Sequence, residues 1–153
     1  MSDRKQHWEK VYRERSASEL SWYQPIPARS LHLIKQSGTP GDAPIIDIGG
    51  GCSLLVDHLL ARGYRNLSVL DISATALEVT ARRLGEAAQR VRWIEADATR
   101  FDPGQPIALR HDRAVFHFLT DPSDRAAYLD NLDRHLRPGG ALIIAAFAPE
   151  GPR

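Results

Sequence analysis

With 153 residues and Lys+Arg 20 against Asp+Glu 19, the chain is long enough for one domain with a real core, and its net charge of +1 gives no argument for nucleic acid or a membrane surface. A single cysteine, Cys52, excludes an internal disulfide and any multi-cysteine metal site. The polar start "MSDRKQHWEK" lacks a signal-like apolar core, and the longest apolar run, 141–148, is too short to span a bilayer, so the expectation is a cytoplasmic protein.

Residues 4–15 are charged and helix-prone, with Trp8, Val11 and Tyr12 at helical spacing. "SASELSWYQPIP" (16–27) breaks that helix with serines and two prolines. "ARSLHLIKQSG" (28–38) predicts a second helix that stops at Gly38. From there strands and helices alternate. "PIIDI" (44–48) reads as a buried strand, "SLLVDHLLARG" (53–63) as a helix with Ser53 at its start, and "LSVLDI" (67–72) as a strand. "SATALEVTARRLGEAA" (73–88) is helical by period, "VRWIEA" (91–96) is a third strand, and "PIALRHD" (106–112) a fourth. "DPSDRAAYLDNLDRHL" (121–136) has Asp121 as N-cap, Pro122 at the first helical position and Asp124 in the first turn. "RPGG" predicts its stop, and "ALIIAAFA" (141–148) a fifth strand, whose unbroken apolar run predicts cover on both faces.

This alternation predicts an α/β fold: a doubly wound, mostly parallel sheet with helices on both faces. Ligands of such sheets bind outside the C-terminal strand ends, where the strand order reverses. The residues that follow the strands are therefore the candidate site.

After the first strand comes Asp47, then Gly49, Gly50 and Gly51. Glycines permit positive φ and remove the Cβ that holds a ligand off the backbone, but a plain tight turn uses them too. A dinucleotide fingerprint needs a further glycine at position 54, which is Leu54, so the pyrophosphate reading weakens. Asp71 ends the second strand, twenty-two positions past Gly49, a spacing that suits a carboxylate for ribose hydroxyls; the alternative is a cap on the next helix. Asp97, after the third strand, can accept from an exocyclic amine or cap a turn. Asp47 can hold the loop or accept from a ligand ammonium.

With these residues in hand, the chain resembles the class I S-adenosylmethionine-dependent methyltransferases, which have a Rossmann-like fold of seven strands. "IIDIGGGCS" resembles the glycine-rich first motif, "VLDIS" the ribose acid, "EADAT" the adenine-side acid, and "LRPGGALIIAAFAPEG" the turn and fifth strand. The resemblance covers roughly 5–150, nearly the whole chain. It implies S-adenosyl-L-methionine as cofactor. Asp47, Gly49 and Gly51 would then face its methionine part, Asp71 would bind its ribose, and Asp97 and Ala98 would flank its adenine, with Gly50, Ile72 and His111 also at the site. "HWEKVY…SWYQ" resembles an N-terminal cap found in small bacterial methyltransferases and in protein-lysine methyltransferases of translation factors. It makes residues 1–38 a helical cap over a binding domain of 39–153, and Trp22 and Tyr23 candidate cap residues. The family continues past strand five with a helix and an antiparallel hairpin. The chain ends at Arg153, so the expectation is a sheet without its last two strands, self-associating through the edge of strand five.

Methyl transfer from a sulfonium needs alignment and exclusion of water more than a fixed catalytic set. The candidates for orienting or deprotonating an acceptor lie in "RHDRAVFHFLT" (110–120): Asp112 for an amine, His117 for a hydroxyl or thiol. Pairing of Asp112 with Arg113, and a packed core role for His117, are the alternatives. The six histidines are scattered without an H-x-x-x-H pair, so no metal site is expected. The acceptor would be a small molecule or a protein side chain. Two other functions stay open: a non-catalytic cofactor-binding or interaction module, and a nicotinamide-dependent oxidoreductase.

Overall fold

The computed structural model describes residues 3–14, 27–51, 53–113, 115 and 119–145. Trp22, Tyr23, Cys52, His117 and the last residues of the predicted fifth strand lie outside them. Two helices lead, α1 (Asp3–Glu14) and α2 (Ala28–Gln36). Then follow β1 (Ile45–Ile48), α3 (Leu55–Ala61), β2 (Leu67–Asp71), α4 (Ala74–Leu84), a 3-10 segment (Gly85–Arg90), β3 (Val91–Glu95), β4 (Ile107–Arg113), α5 (Pro122–His135) and β5 (Leu136–Ala145).

The sheet order is β3-β2-β1-β4-β5, and every pairing is parallel. The chain winds outward from β1 to β3, then crosses back to β4 on the other side of β1. The order therefore reverses between β1 and β4, and the space beyond their C-terminal ends is the predicted ligand position.

Two cores sandwich the sheet. Ile45, Val69 and Leu109 pack with Leu31 and Ile34 of α2 and Leu55, Val56 and Leu59 of α3. Ile46, Ile48 and Leu70 face the other way, onto Tyr128 of α5, Phe101 and Leu119. The pleat explains the split, because alternate strand residues point to opposite faces. All four residues of β1 and all five of β2 are buried, as suits central strands covered on both sides.

Helix signals act where the sequence puts them. Asp121 caps α5 by accepting from the Ser123 N–H at 2.7 Å, with Pro122 in the first turn. Gly63 follows α3 at φ +91°, the left-handed conformation that ends helices. Two expectations need correction. "RPGG" does not separate helix from strand: Leu136 already pairs with Ile107, and Ala141 resumes the ladder against Leu109, so 137–140 form an irregularity inside β5. Nor is β5 covered on both faces. Ala141 and Ile143 pack on the first core, but Leu142 and Ile144 on the α5 face are 40% and 39% exposed. The buried Tyr128 packs over Ile46, Ile48 and Ile107, and among the described residues no helix follows β5 to cover its outer half.

Candidate functional site

β1 ends at Ile48, and the chain turns at once through Gly49, whose φ of +73° disfavours any residue with a Cβ. The turn folds back on β2: the Gly49 and Gly50 amides donate to the Leu70 carbonyl at 2.7 and 3.3 Å. The Gly51 amide donates to Asp71 Oδ2 at 3.0 Å, and the Thr80 hydroxyl donates to the Gly51 carbonyl. A Cβ at Gly50 would overlap the Asp47 carboxylate, and one at Gly51 would crowd Asp71. The bare backbone thus lets two carboxylates come up against the loop from below, which a plain turn does not require.

Asp71 is 4% exposed. Its second oxygen, Oδ1, accepts from the Ser73 N–H at 2.9 Å, while Ser73 itself caps α4 by accepting from the Ala76 N–H. Burial pushes the Asp71 carboxyl up to about 6, backbone hydrogen bonds from Ser73 and Gly51 oppose the shift, and the charge of Asp47 adds to it.

Asp47 is 4% exposed and lies directly beside His111 in the β1–β4 ladder. His111 Nδ1 sits 2.8 Å from Asp47 Oδ1, and its Nε2 is 2.8 Å from Ser30 Oγ on α2. Asp47 Oδ2 is buried and has no hydrogen-bond partner among the described residues.

Asp97 is partly exposed. Its Oδ1 accepts from the Thr99 amide and hydroxyl at 2.9 and 2.6 Å, which is the turn-capping alternative. Its Oδ2 meets Arg4 Nη1 at 2.6 Å, and Arg4 Nη2 reaches Asp124 at 2.7 Å. Lys5 pairs with Glu95, and Glu9 accepts from the amide and hydroxyl of Thr75. Burial works against the Glu9 charge, but the Thr75 hydrogen bonds outweigh it and hold the carboxyl below its ordinary value. α1 thereby ties together the end of β3 and the starts of α4 and α5. Ile72 is half-buried and Ala98 buried at the same edge.

Asp112 is fully buried. It accepts from the Val115 N–H at 2.8 Å and from the Tyr128 hydroxyl. Burial and the Asp112 charge push the Tyr128 phenol well above its ordinary range, against the nearby Arg110 charge. Arg110 is also buried, with its guanidinium 4.5 Å from the Tyr128 ring centre and 5.2 Å from that of Phe101. Its Nη1 donates to Asn131 Oδ1 at 3.0 Å, and Asn131 donates to the Phe101 carbonyl at 2.8 Å.

The structure therefore brings Asp47, Gly49, Gly50, Gly51, Asp71 and His111 into one cluster. It separates His111 from Asp112, its chain neighbour, by the thickness of the sheet. Sequence reasoning misses Ser30, Thr80, Tyr128 and Asn131. Each comes from a helix distant in sequence, and no local pattern marks it as a partner.

A family model described as a methyltransferase domain matches residues 45–140. Trans-aconitate 2-methyltransferase of Azoarcus sp. (strain BH72) is 32% identical over 102 residues, covering 67% of this chain and 38% of that protein. The eEF1A lysine and N-terminal methyltransferase of Danio rerio is 27% identical over 149 residues, covering 94% of this chain and 21% of that protein. The chain thus spans well under half the length of either relative. A crystal structure of the glycopeptide N-methyltransferase MtfA complexed with (S)-adenosyl-L-homocysteine superposes with a TM-score of 0.67 at 21% identity, over 79% of this chain and 52% of that one.

Proposed function

The chain belongs to the methyltransferase-domain family, and from that premise we propose that it binds S-adenosyl-L-methionine and transfers its methyl group to a small molecule or a protein side chain. One observation carries the reading: a glycine loop at the reversal of strand order, clasped by two buried carboxylates, one of which keeps an oxygen without a donor among the described residues.

The residues fit such a cofactor. Asp47 Oδ2 is an acceptor in want of a cationic donor, and the amino-acid end of S-adenosylmethionine carries an ammonium. Each Asp71 oxygen accepts one backbone N–H and keeps a lone pair for a ribose hydroxyl. Gly49, Gly50 and Gly51 offer backbone without side chains. Ile72 and Ala98 supply apolar contact for adenine, and the Asp97 carboxylate supplies an acceptor for its amine. Residues 1–38 are the proposed cap, with Trp22 and Tyr23 as its candidate residues; the reach of Arg4, Lys5 and Glu9 from α1 to three other elements supports that role.

S-adenosylmethionine supplies an activated methyl group on a good leaving group, so the protein need not generate a strong nucleophile. The chain's own work is to position the acceptor, exclude water and take a proton where the acceptor starts protonated. His117 is the proposed group for that task; Asp112, the other candidate, is fully buried with its oxygens taken by the Val115 N–H and the Tyr128 hydroxyl. The bond from the Val115 N–H to Asp112 anchors the start of the segment that carries His117.

The names of the relatives support both acceptor classes: one acts on trans-aconitate, another is named for eEF1A lysine. No helix among the described residues is long and apolar enough to cross a membrane, and a cytoplasmic site of action is the proposal. A second copy of the chain is the proposed neighbour of β5, the last strand of the described sheet, through Leu142 and Ile144. Sedimentation across a concentration series tests it: Ile144→Lys abolishes the dimer, and a strictly monomeric parent chain refutes it.

Calorimetric titration with S-adenosylmethionine, S-adenosylhomocysteine and NAD tests the main reading. Both adenosyl compounds bind and NAD does not. Binding of NAD alone overturns the assignment, and a labelled-methyl assay on cell extract then separates an active transferase from a binding module.

A further inference from the structure

On the α2 side of the sheet, three polar side chains form a buried line. Ser30 on α2 is 7% exposed, His111 on β4 is 3% exposed, and Asp47 on β1 is 4% exposed. Their contacts are 2.8 Å between Ser30 Oγ and His111 Nε2, and 2.8 Å between His111 Nδ1 and Asp47 Oδ1. Burying three polar groups is unfavourable unless each finds a partner, and here each does, except at the far end. There, Asp47 Oδ2 has no partner among the described residues and occupies the space a Cβ at Gly50 would take.

We infer that His111, itself held by Ser30, is a positioning residue that fixes the Asp47 carboxylate with one oxygen turned to the glycine loop, where it receives the ammonium of the cofactor's amino-acid end. The inference rests on the cofactor reading above and adds how the site is aimed. An aspartate side chain with no bond at Oδ1 can rotate about its terminal torsion, which is broad. The bond from His111 removes that freedom before a ligand arrives. A carboxylate has only lone pairs to offer, so this contact is made by a proton on His111 Nδ1 donated to Asp47 Oδ1. The Ser30 hydroxyl, which can donate or accept, holds the ring at Nε2 in that orientation. Two histidine nitrogens and one serine are thus committed within the protein, so His111 acts on the ligand through Asp47 and not by contact.

Three variants and two ligands test this. His111→Leu removes both bonds, His111→Asn restores a donor near the Nδ1 position, and Ser30→Ala removes only the outer bond. S-adenosylhomocysteine carries the amino-acid end; 5′-methylthioadenosine has the same nucleoside and thioether without it. His111→Leu lowers S-adenosylhomocysteine affinity at least about tenfold, the usual order for losing a charge-assisted bond, and leaves methylthioadenosine affinity unchanged. His111→Asn recovers most of the loss, and Ser30→Ala produces a smaller loss with the same ligand selectivity. Equal losses for both ligands in every variant show a merely structural histidine and overturn the inference. So does unchanged binding of both ligands by the Ser30→Ala protein, which keeps the test decisive if the leucine variant does not fold. Failure of the parent chain to bind S-adenosylhomocysteine at all removes the cofactor reading itself, a result distinct from the other two.

Discussion

His111 and Asp112 are chain neighbours in β4, yet they finish in opposite surroundings. On the α2 side, His111 joins Asp47, and Asp71 lies close enough for its charge balance to feel Asp47. That cluster holds two carboxylates and one unmatched acceptor among the described residues. On the α5 side, Asp112 meets Tyr128, and Arg110 lies against the Tyr128 and Phe101 rings with Asn131 on its Nη1. There one cation stands near one anion, and the guanidinium lies against aromatic π density, with no hydrogen bond on Nε or Nη2 among the described residues. The first, with its unmatched acceptor, is the proposed cofactor side, the open cluster. The second is closed on itself. Buried polar atoms without a hydrogen bond among the described residues occur in both clusters, so what sets the proposed cofactor site apart is the glycine loop against Asp47 and Asp71.

The largest effect should come from breaking the open cluster at its loop. Gly49→Val places a β-branched residue at φ +73° and drives its side chain into Val115. The left-handed conformation alone costs about 1–2 kcal/mol, with the overlap added. S-adenosylhomocysteine binding should vanish in calorimetry, and thermal unfolding should shift down. A variant that binds normally would return the loop to the status of a plain turn.

Breaking the closed cluster should do the reverse. Tyr128→Phe leaves the buried Asp112 short of a donor, at a cost of about 1–3 kcal/mol in urea unfolding. Cofactor affinity should not move. A clear fall in affinity with stability intact would mean that the two clusters are one functional unit.

The fold was largely legible in the sequence, and these clusters show where legibility ends. Apolar runs between glycines and prolines place each strand within a residue or two, except at β5. There the pattern "RPGG" looks like a helix stop, but ladder pairing to Ile107 outweighs it. Asp47, the glycines and Asp71 stand out because strand ends and loop chemistry are local. Treating 110–120 as one reactive stretch, by contrast, overlooks the pleat of the predicted strand, which sends His111 and Asp112 apart. Ser30, Tyr128 and Asn131 were invisible for a different reason: tertiary packing, not spacing, brings them to β4. The same holds for Arg4 and Asp97, 93 positions apart.

A finer probe of the open cluster is pH. The Asp71 carboxyl is raised from its ordinary 3.8 to about 6, so between those values the folded chain keeps a proton that the unfolded chain has released. Stability contributed by this group is full at the acid end of the window, falls as pH rises through it and levels off above about 6. Ribose hydroxyls donate more strongly to the ionised form, in which both oxygens are charged acceptors. Affinity for S-adenosylhomocysteine should thus rise with pH across the same window, with opposite sign to stability. Asp71→Ala should lose affinity by at least about tenfold and abolish the slope. A flat pH profile in the parent chain would place the ribose elsewhere.

The smallest effect lies at α1, part of the proposed cap. Arg4 links Asp97 to Asp124 with both ends of its guanidinium, and all three side chains keep solvent contact. Such pairs are worth about 0.2–1 kcal/mol each and weaken with salt. Glu9 adds a second tether at Thr75, and its lowered carboxyl contributes stability present above its ordinary 4.5 and lost as pH falls below it. Arg4→Ala should leave global unfolding nearly unchanged but speed amide exchange across α1. Raised salt should do the same to the parent chain, and Arg4→Ala should blunt that response. It also leaves Asp97 Oδ2 without its cation, an oxygen then available to an adenine amine. Dissociation of S-adenosylhomocysteine should become faster while its equilibrium affinity shifts by no more than about threefold, because the looser cover and the freed acceptor act in opposite directions. If α1 exchanges no faster without Arg4, the helix is held by its packing on α4, and the ion pairs merely decorate its surface.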